Sequence, residues 1–371
     1  MSAKMLGILT LIAGLAAFGA YLLAFRHPST TAPASKAAMV EGERFIPALA
    51  DRGGEAAKIE ISSKDETVTL TLDGDAWRVE SKGGYPADPA KVRGLVTSLS
   101  ELRTIEAKTA LPERYPLISV QWPDNGEPGS QEFSARPTLV RVMDPKDVVI
   151  AEVVLGESSY TGGVTRQYAR LLDQSQSWLV SARVDTPTAG MRWLDAKFIQ
   201  LPRDSVKRVT ITHATGETVT LSRPDKDADF AVESIPENMS QVAEGPRNRV
   251  GSALAFVNFS DVRKAEGGQT DPVKAVFETF DGLTVTVLSV PDNDGAWVRA
   301  SAEGTGADEL NAGLAGFEFR LPKSAVESLT RLPSDLLTEN APATPAAPGP
   351  EAPDTSVPEL LRPPAGGGGG G

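Results

Sequence analysis

Two distant stretches of this chain follow nearly the same plan, and that internal repeat narrows the possible folds more than any other feature. Residues 58–70 read KIEISSKDETVTL and residues 208–221 read RVTITHATGETVTL. Each places two alternating strands around a polar turn. Ile59 and Ile61 match Val209 and Ile211, and Val68 and Leu70 match Val219 and Leu221. A third strand follows in each copy, Ala76–Val79 in the first and Asp229–Val232 in the second, which sets Trp77 beside Phe230. A helix comes next. In the first copy Asp88 is suited to the N-cap and Pro89 to the first helical position. Val92, Leu95, Val96, Leu99 and Leu102 then form one apolar stripe. The second copy has Pro246, then Val250, Leu254 and Val257 at helical spacing.

The match extends further. Arg103–Glu106 and Asp261–Lys264 follow the two helices, and a strand pair lies downstream of each, turning in the second copy at Asp281-Gly282. A strand with an aromatic rim is expected after each pair, at Trp178–Val180 and at Trp297-Val298. Phe45-Ile46-Pro47 precedes the first copy and Phe198-Ile199-Gln200 the second, and Phe319-Arg320-Leu321-Pro322 is a third occurrence of that wording. Hairpin-linked, alternating strands favour antiparallel sheets. The expected fold is α+β: an N-terminal transmembrane helix, then two tandem related modules of mainly antiparallel sheet with packed helices. Each module would hold about 130–150 residues, near the usual domain size.

The ends of the chain read differently. Met5–Phe25 carries no charge in 21 residues, which spans about 31 Å as a helix, one bilayer core. The expected organisation is an anchor at 1–26, a linker at 27–41, modules at 42–195 and 196–337, and a tail at 338–371. From Asn340 the tail holds eight prolines and ends in six glycines, a composition that cannot bury a core and is expected to be disordered. Lys4 and the amino terminus lie on the short side of the run, so the positive-inside tendency keeps them in the cytoplasm and puts the body outside it. Cleavage after Ala32-Pro33-Ala34, with a mature terminus near Ser35, is the alternative.

Composition excludes several chemistries. There are 49 acids against 37 Lys and Arg, a net charge of −12, which argues against a nucleic-acid partner. Cysteine is absent and only His27 and His213 occur, so thiol catalysis, disulfides and multi-histidine metal sites are excluded. Gly304-Thr305-Gly306 begins a phosphate-binding pattern, but Glu309 stands where the third glycine belongs. Asp225, Asp227 and Asp229 match the start of a calcium loop, yet Phe230 and Pro236 occupy its glycine and glutamate positions. No intrinsic catalysis, cofactor or metal is expected. Paired carboxylates remain a possibility that sequence does not test, because their separation is spatial.

The wording of the first copy resembles a known family. Trp77-Arg78-Val79, Gly84-Tyr85-Pro86-Ala87-Asp88, Lys91-Val92, Leu99, Leu102 and Glu106–Thr109 occur in order. With Tyr168–Leu171 and Trp178–Val180, they are similar to domain-of-unknown-function family 4340, well over 42–200 and more weakly beyond. The resemblance implies a bacterial, membrane-anchored protein often associated with auxiliary proteins of gliding-motility-type ABC transporters. It carries over no catalytic residue. Exposed aromatics can anchor a partner, which makes Tyr85, Pro86 and Trp193 the candidate contact residues, with Trp122 and Tyr160 as further loop aromatics. The other reading of Gly84–Asp88 is turn chemistry, with Pro86 fixing the turn and Tyr85 packed beneath it. The tail segment Val357–Pro364 holds the only apolar cluster of that end and has the form of a short docking peptide.

The expected function is that of a single-pass inner-membrane protein with a periplasmic body, a binding or scaffold subunit accessory to an ABC-type permease or another envelope protein. Two alternatives are an envelope hydrolase using carboxylates and a released periplasmic ligand-binding protein. The topology has a direct test. A reporter enzyme that is active only outside the cytoplasm, fused after residue 200, is expected to be active. Activity from a cytoplasm-only reporter at the same point would refute the orientation.

Overall fold

Alternation of apolar residues sets the first strands. The computed structural model describes residues 39–122 and 137–340. The expected transmembrane run, most of the linker and the tail from residue 341 lie outside the described residues. Among the described residues, no helix is long and apolar enough to cross a membrane. The chain is tied to the body from Val40, whose carbonyl accepts a 2.6 Å hydrogen bond from the Thr104 hydroxyl. Helix α1 (Pro47–Arg52) then buries Leu49. β1 (Lys58–Ser62) and β2 (Thr67–Asp73) pair antiparallel, with Ile59 opposite Leu70 and Ile61 opposite Val68. All four of these side chains are fully buried.

β3 (Ala76–Val79) and β4 (Tyr85–Pro86) continue the sheet, separated by a 3-10 turn at Glu80–Lys82. Helix α2 (Pro89–Glu101) begins where expected, with the Asp88 carboxylate accepting from the Ala90 N–H, and it buries Val92, Leu95 and Leu99. β5 (Thr104–Ala107), β6 (Thr138–Met143), β7 (Val149–Thr161), β8 (Val164–Leu171) and β9 (Ser177–Val180) complete a nine-stranded sheet ordered β4-β3-β2-β1-β6-β7-β8-β9-β5.

The second half builds β10 (Val206–Thr212), β11 (Thr218–Ser222), β12 (Ala231–Val232), β13 (Met239–Gln241), helix α3 (Glu244–Gly251) and β14 (Asp261–Lys264). β15 (Val273–Thr279), β16 (Leu283–Asp292), β17 (Gly295–Gly304), helix α4 (Ala307–Leu314) and β18 (Phe317–Pro322) follow. Helices α5 (Lys323–Leu329) and α6 (Pro333–Leu336) lead to β19 (Leu337–Glu339), which pairs with β13. The second sheet runs β12-β11-β10-β15-β16-β17-β18-β14. The fold is therefore α+β with two large sheets, and every strand pairing among the described residues is antiparallel.

The two sheets share one strand order, β3-β2-β1-β6-β7-β8-β9-β5 matching β12-β11-β10-β15-β16-β17-β18-β14. The joins match as well. A bridge between Arg44 and Arg103 corresponds to one between Lys197 and Asn258, and the N–H of Phe45 on Leu102 corresponds to that of Phe198 on Val257. Val79 faces Leu70 as Val232 faces Leu221, so Trp77 and Phe230 occupy the same register position. Phe230 itself lies one residue before the short β12.

Two expectations need correction. The second helix does not continue to Leu254 and Val257 but ends at Gly251, after which the N–H groups of Ala253 and Ala255 bond three residues back, to Val250 and Ser252. Gly251 itself packs so close to Phe230 that a Cβ would lie 2.0 Å from the ring. Trp297 is also not the counterpart of Trp178. Ala107 pairs with Trp178 and Val262 with Phe319, so Phe319 is the equivalent residue and Trp297 belongs to the preceding strand. Phe319-Arg320-Leu321-Pro322 is thus part of β18, the last strand of the second sheet in chain order.

The halves meet around Tyr85. Its ring stands edge-on to Phe259, Phe317 and Phe319 at centroid distances of 5.7, 5.0 and 5.7 Å. Phe198 and Phe259 pack on Phe319 at 5.1 and 5.2 Å. Beside these rings Lys82 Nζ pairs with Asp261 Oδ1 at 2.7 Å. Gly83, at φ +66°, lies so close to β14 that a Cβ would fall 2.7 Å from the Lys264 nitrogen. One apolar core consequently runs through both halves, from Phe45 to Leu336.

A smaller cluster of Tyr115, Val120, Trp122, Leu139 and Val154 packs separately. There the Arg170 guanidinium lies 4.6 Å from the Tyr115 ring centroid and donates to the Val120 carbonyl.

Phe319→Ala is expected to cost about 3–5 kcal/mol, the usual range for a buried aromatic. Hydrogen exchange should then show β1–β2 and β10–β11 losing protection together. Loss confined to the second sheet would show that the halves open independently. A second expectation concerns acid. Hydrogen bonds from Arg320 and from the Asp294 N–H lower Asp292 to about 2 from an ordinary 3.8. A depressed carboxyl stabilises the fold above its unfolded value and loses that contribution as pH falls through the folded one. Asp292→Asn should therefore flatten the fall in stability between about pH 4 and pH 2, measured by urea titration at each pH.

Candidate binding grooves

The polar residues singled out by motif are engaged locally. The Asp225 carboxylate accepts from the N–H groups of Asp227 and Ala228, which makes it a turn former. Asp229 pairs with Arg203 and accepts from the Asn248 amide. His213 Nε2 lies 3.2 Å from the Arg331 carbonyl. Among the described residues, no group of three or more His, Cys, Asp or Glu side chains could hold a metal ion.

Tyr85, Pro86 and Trp193 come together, although far apart in sequence. Tyr85 and Pro86 pair with Val79 and Arg78. Two residues later the Asp88 N–H donates to the Trp193 carbonyl at 2.7 Å, and Lys91 Nζ donates to the Leu194 carbonyl at 2.6 Å. The Trp193 indole N–H reaches the Pro187 carbonyl. Burial pushes the Tyr85 phenol above its ordinary value, with a smaller contribution from the nearby Asp195 carboxylate. Packing, rather than display, accounts for these rings. Trp193 is 2% exposed, and Tyr85 is half-buried in the junction between the sheets. Trp122 is likewise buried, while Tyr160 is 74% exposed near the tip of the β7–β8 hairpin.

The surface these residues shape is a groove of about 780 Å³ between helix α2 and the strap 184–197. Leu95, Val184, Pro187, Met191 and Trp193 supply its apolar wall. Asp88, Asp185 and Asp195 on one hand, and Lys91, Arg192 and Lys197 on the other, line it with both signs of charge. The strap stays in place through the two bonds to Trp193 and Leu194, and because Gly190 sits tightly against Val79 and Ser81, where a Cβ would meet the Ser81 hydroxyl at 2.6 Å.

A second groove, of about 730 Å³, lies at the corresponding place in the other half. Counting from the matched bridges sets Gly94 against Arg249 and Ser98 against Ala253. Counting from the matched last strands sets Val184 against Ala325 and Pro187 against Ser328. All eight line their respective grooves. The chemistry differs. Phe256, 92% exposed, lines the second groove at the position that Glu101 holds in the first half. Phe256 falls outside the stripe Val250, Leu254 and Val257, and nothing in the sequence singled it out; setting it against Glu101 is the signal that exposes it.

A family model described as "Domain of unknown function (DUF4340)" matches residues 77–278, more than half of the chain. The chain belongs to this family. The DUF4340 match begins at Trp77 in β3 and ends at Glu278 in β15, so it covers Tyr85, Phe259 and the whole first groove and stops before Phe317 and Phe319. No curated protein and no solved structure matches the chain.

Tyr85→Ala is expected to cost about 3 kcal/mol, because three ring contacts are lost at once. Tyr85→Phe keeps those contacts and should stay within about 0.5 kcal/mol of the parent. Denaturant unfolding measures both; an unchanged Tyr85→Ala would show that the ring contributes nothing to the junction.

Proposed function

We propose that this DUF4340 protein is a bacterial inner-membrane binding or scaffold subunit, anchored through residues 5–25 with its amino terminus in the cytoplasm and its body in the periplasm. The body is read as two tandem related modules, descended from one duplicated unit. The partner is an ABC-type permease or another envelope protein, an assignment that rests on the family resemblance. No catalytic role is assigned to any residue.

The observation that carries this reading is the groove between α2 and the strap. An extended polypeptide presents backbone polar groups, apolar side chains and occasional charges of either sign. The groove offers the complement: an apolar wall of Leu95, Met191 and Trp193, with Lys91 and Lys197 set among Asp88, Asp185 and Asp195. Grooves of this size suit a few side chains. The shared strand order and matched joins support the duplication. The uncharged run of 21 residues supports the anchor.

Gly94 gives a clean test. It lines the groove on an exposed helical face, and a Cβ there meets nothing within 4 Å. Gly94→Trp should fill the groove without disturbing the core, and replacing a helical glycine favours the helix. The intact protein, crosslinked in its own membrane and recovered, is expected to bring down an envelope partner. Gly94→Trp should lose that partner at least tenfold while its melting temperature stays level. Equal recovery by parent and variant would remove the groove from the proposal.

A further inference from the structure

The second groove carries an exposed aromatic that the first lacks, and the chain itself holds a segment that fits it. We infer that residues 357–362, Val-Pro-Glu-Leu-Leu-Arg, dock in cis into the groove formed by Arg203, Arg249, Ala253, Phe256 and Ala325.

Phe256 is the most exposed large apolar side chain among the described residues. An apolar ring in that position is unfavourable in water unless something covers it. The backbone on either side of it is fixed: the Ala255 N–H bonds to Ser252 and the Phe198 N–H to Val257. Ala253, Ala255, Val257, Pro322 and Ala325 extend the apolar surface around the ring. An aromatic surface of this kind suits a proline-containing extended segment, whose preformed conformation loses little entropy on docking.

The tail supplies such a segment. Val357, Leu360 and Leu361 are its apolar cluster, with Pro358 inside and Pro363-Pro364 after it. Charge does not oppose the match. Asp204 and Arg249 line the groove, and Arg203 is paired with Asp229, while the segment carries one charge of each sign, Glu359 and Arg362. The first groove has Glu101 at the position of Phe256, so it lacks the exposed ring.

The tether is long enough. Asn340 is held beside β13 by its N–H on the Asn238 carbonyl and its amide on the Glu237 carbonyl. Residues 341–356 then separate it from Val357, and fully extended they span about 55 Å. Ser328 of the groove lies only twelve residues before Asn340, so at most about 41 Å separates them, and the segment is long enough to reach the groove. A short tether also raises the local concentration to about the millimolar range, at which even a weak contact is substantially occupied.

The absence of cysteine makes the experiment direct. In the full chain, Ser324→Cys in the groove and Ser356→Cys at the edge of the tail cluster form the test pair. Ser158→Cys on the exposed β7–β8 hairpin with Ser356→Cys forms the control. Under mild oxidation the test pair is expected to close within one chain at least tenfold faster than the control. Phe256→Ala added to the test pair should return it to the control rate with an unchanged melting temperature, which separates docking from mere nearness of the two cysteines in the chain. Equal rates for the two pairs, or a fast rate that ignores Phe256→Ala, would overturn the inference. Linkage between chains, seen as a dimer that depends on protein concentration, would overturn it too and assign the groove to a second copy.

Discussion

The contact on which the rest of the structure depends is the seating of Tyr85 among three phenylalanine rings of the opposite half. Edge-on aromatic packing is directional, so these rings fix orientation as well as burying area. Tyr85 stands at the edge of the first sheet, on the turn that leads into α2. Phe317 and Phe319 stand on the last long strand of the second sheet, and Phe259 on the segment that leads into β14. The Lys82–Asp261 pair and the close approach of Gly83 to Lys264 hold the same turn from the side. Partly exposed ion pairs contribute little on their own. Here the ion pair flanks the rings, which bury apolar area between the halves.

Much of this architecture was legible in the sequence. The alternation of Ile59, Ile61, Val68 and Leu70 encodes a hairpin with one buried face, and the same pattern at Val209, Ile211, Val219 and Leu221 encodes its counterpart. Asp88-Pro89 marks the start of α2 because capping is a local interaction. The second helix gives way after Gly251 to turns closed three residues back at Ala253 and Ala255, although Leu254 and Val257 keep helical spacing. What else failed was decided by distant contacts. Trp297 reads like Trp178 by neighbouring residues, yet strand pairing puts Phe319 in that place. The grooves were invisible for the same reason: Gly94 and Val184 become neighbours only once the sheet has closed. Of the three candidate contact residues, Trp193 is buried and Tyr85 packs on three rings of the other half, an arrangement that depends on contacts far away in the chain.

Polar groups inside the body follow a common pattern. Arg223 is almost fully buried, yet it donates to the carbonyls of Val206, Lys226 and Arg203 and lies against the rings of Phe230 and Phe280. Arg247 donates to Val242 and Phe230 carbonyls. A planar guanidinium has enough donors to satisfy several carbonyls at once and a face that stacks on an aromatic ring. These arginines tie irregular loops to the sheet where backbone pairing ends. Glu318 shows the converse, a carboxylate almost enclosed but gripped by Arg263 and Arg299.

The strap 184–197 does two jobs at once. It is a wall of the first groove, and it is also the covalent passage from one sheet to the next, reaching the second half at the Lys197–Asn258 bridge. The bonds that Asp88 and Lys91 make to Trp193 and Leu194 tie the strap to the α2 side of this groove. Those bonds lie a few residues upstream of Phe198, which packs on Phe319. One short stretch of chain thus walls the groove, links the two sheets covalently and leads directly into the ring cluster at their junction.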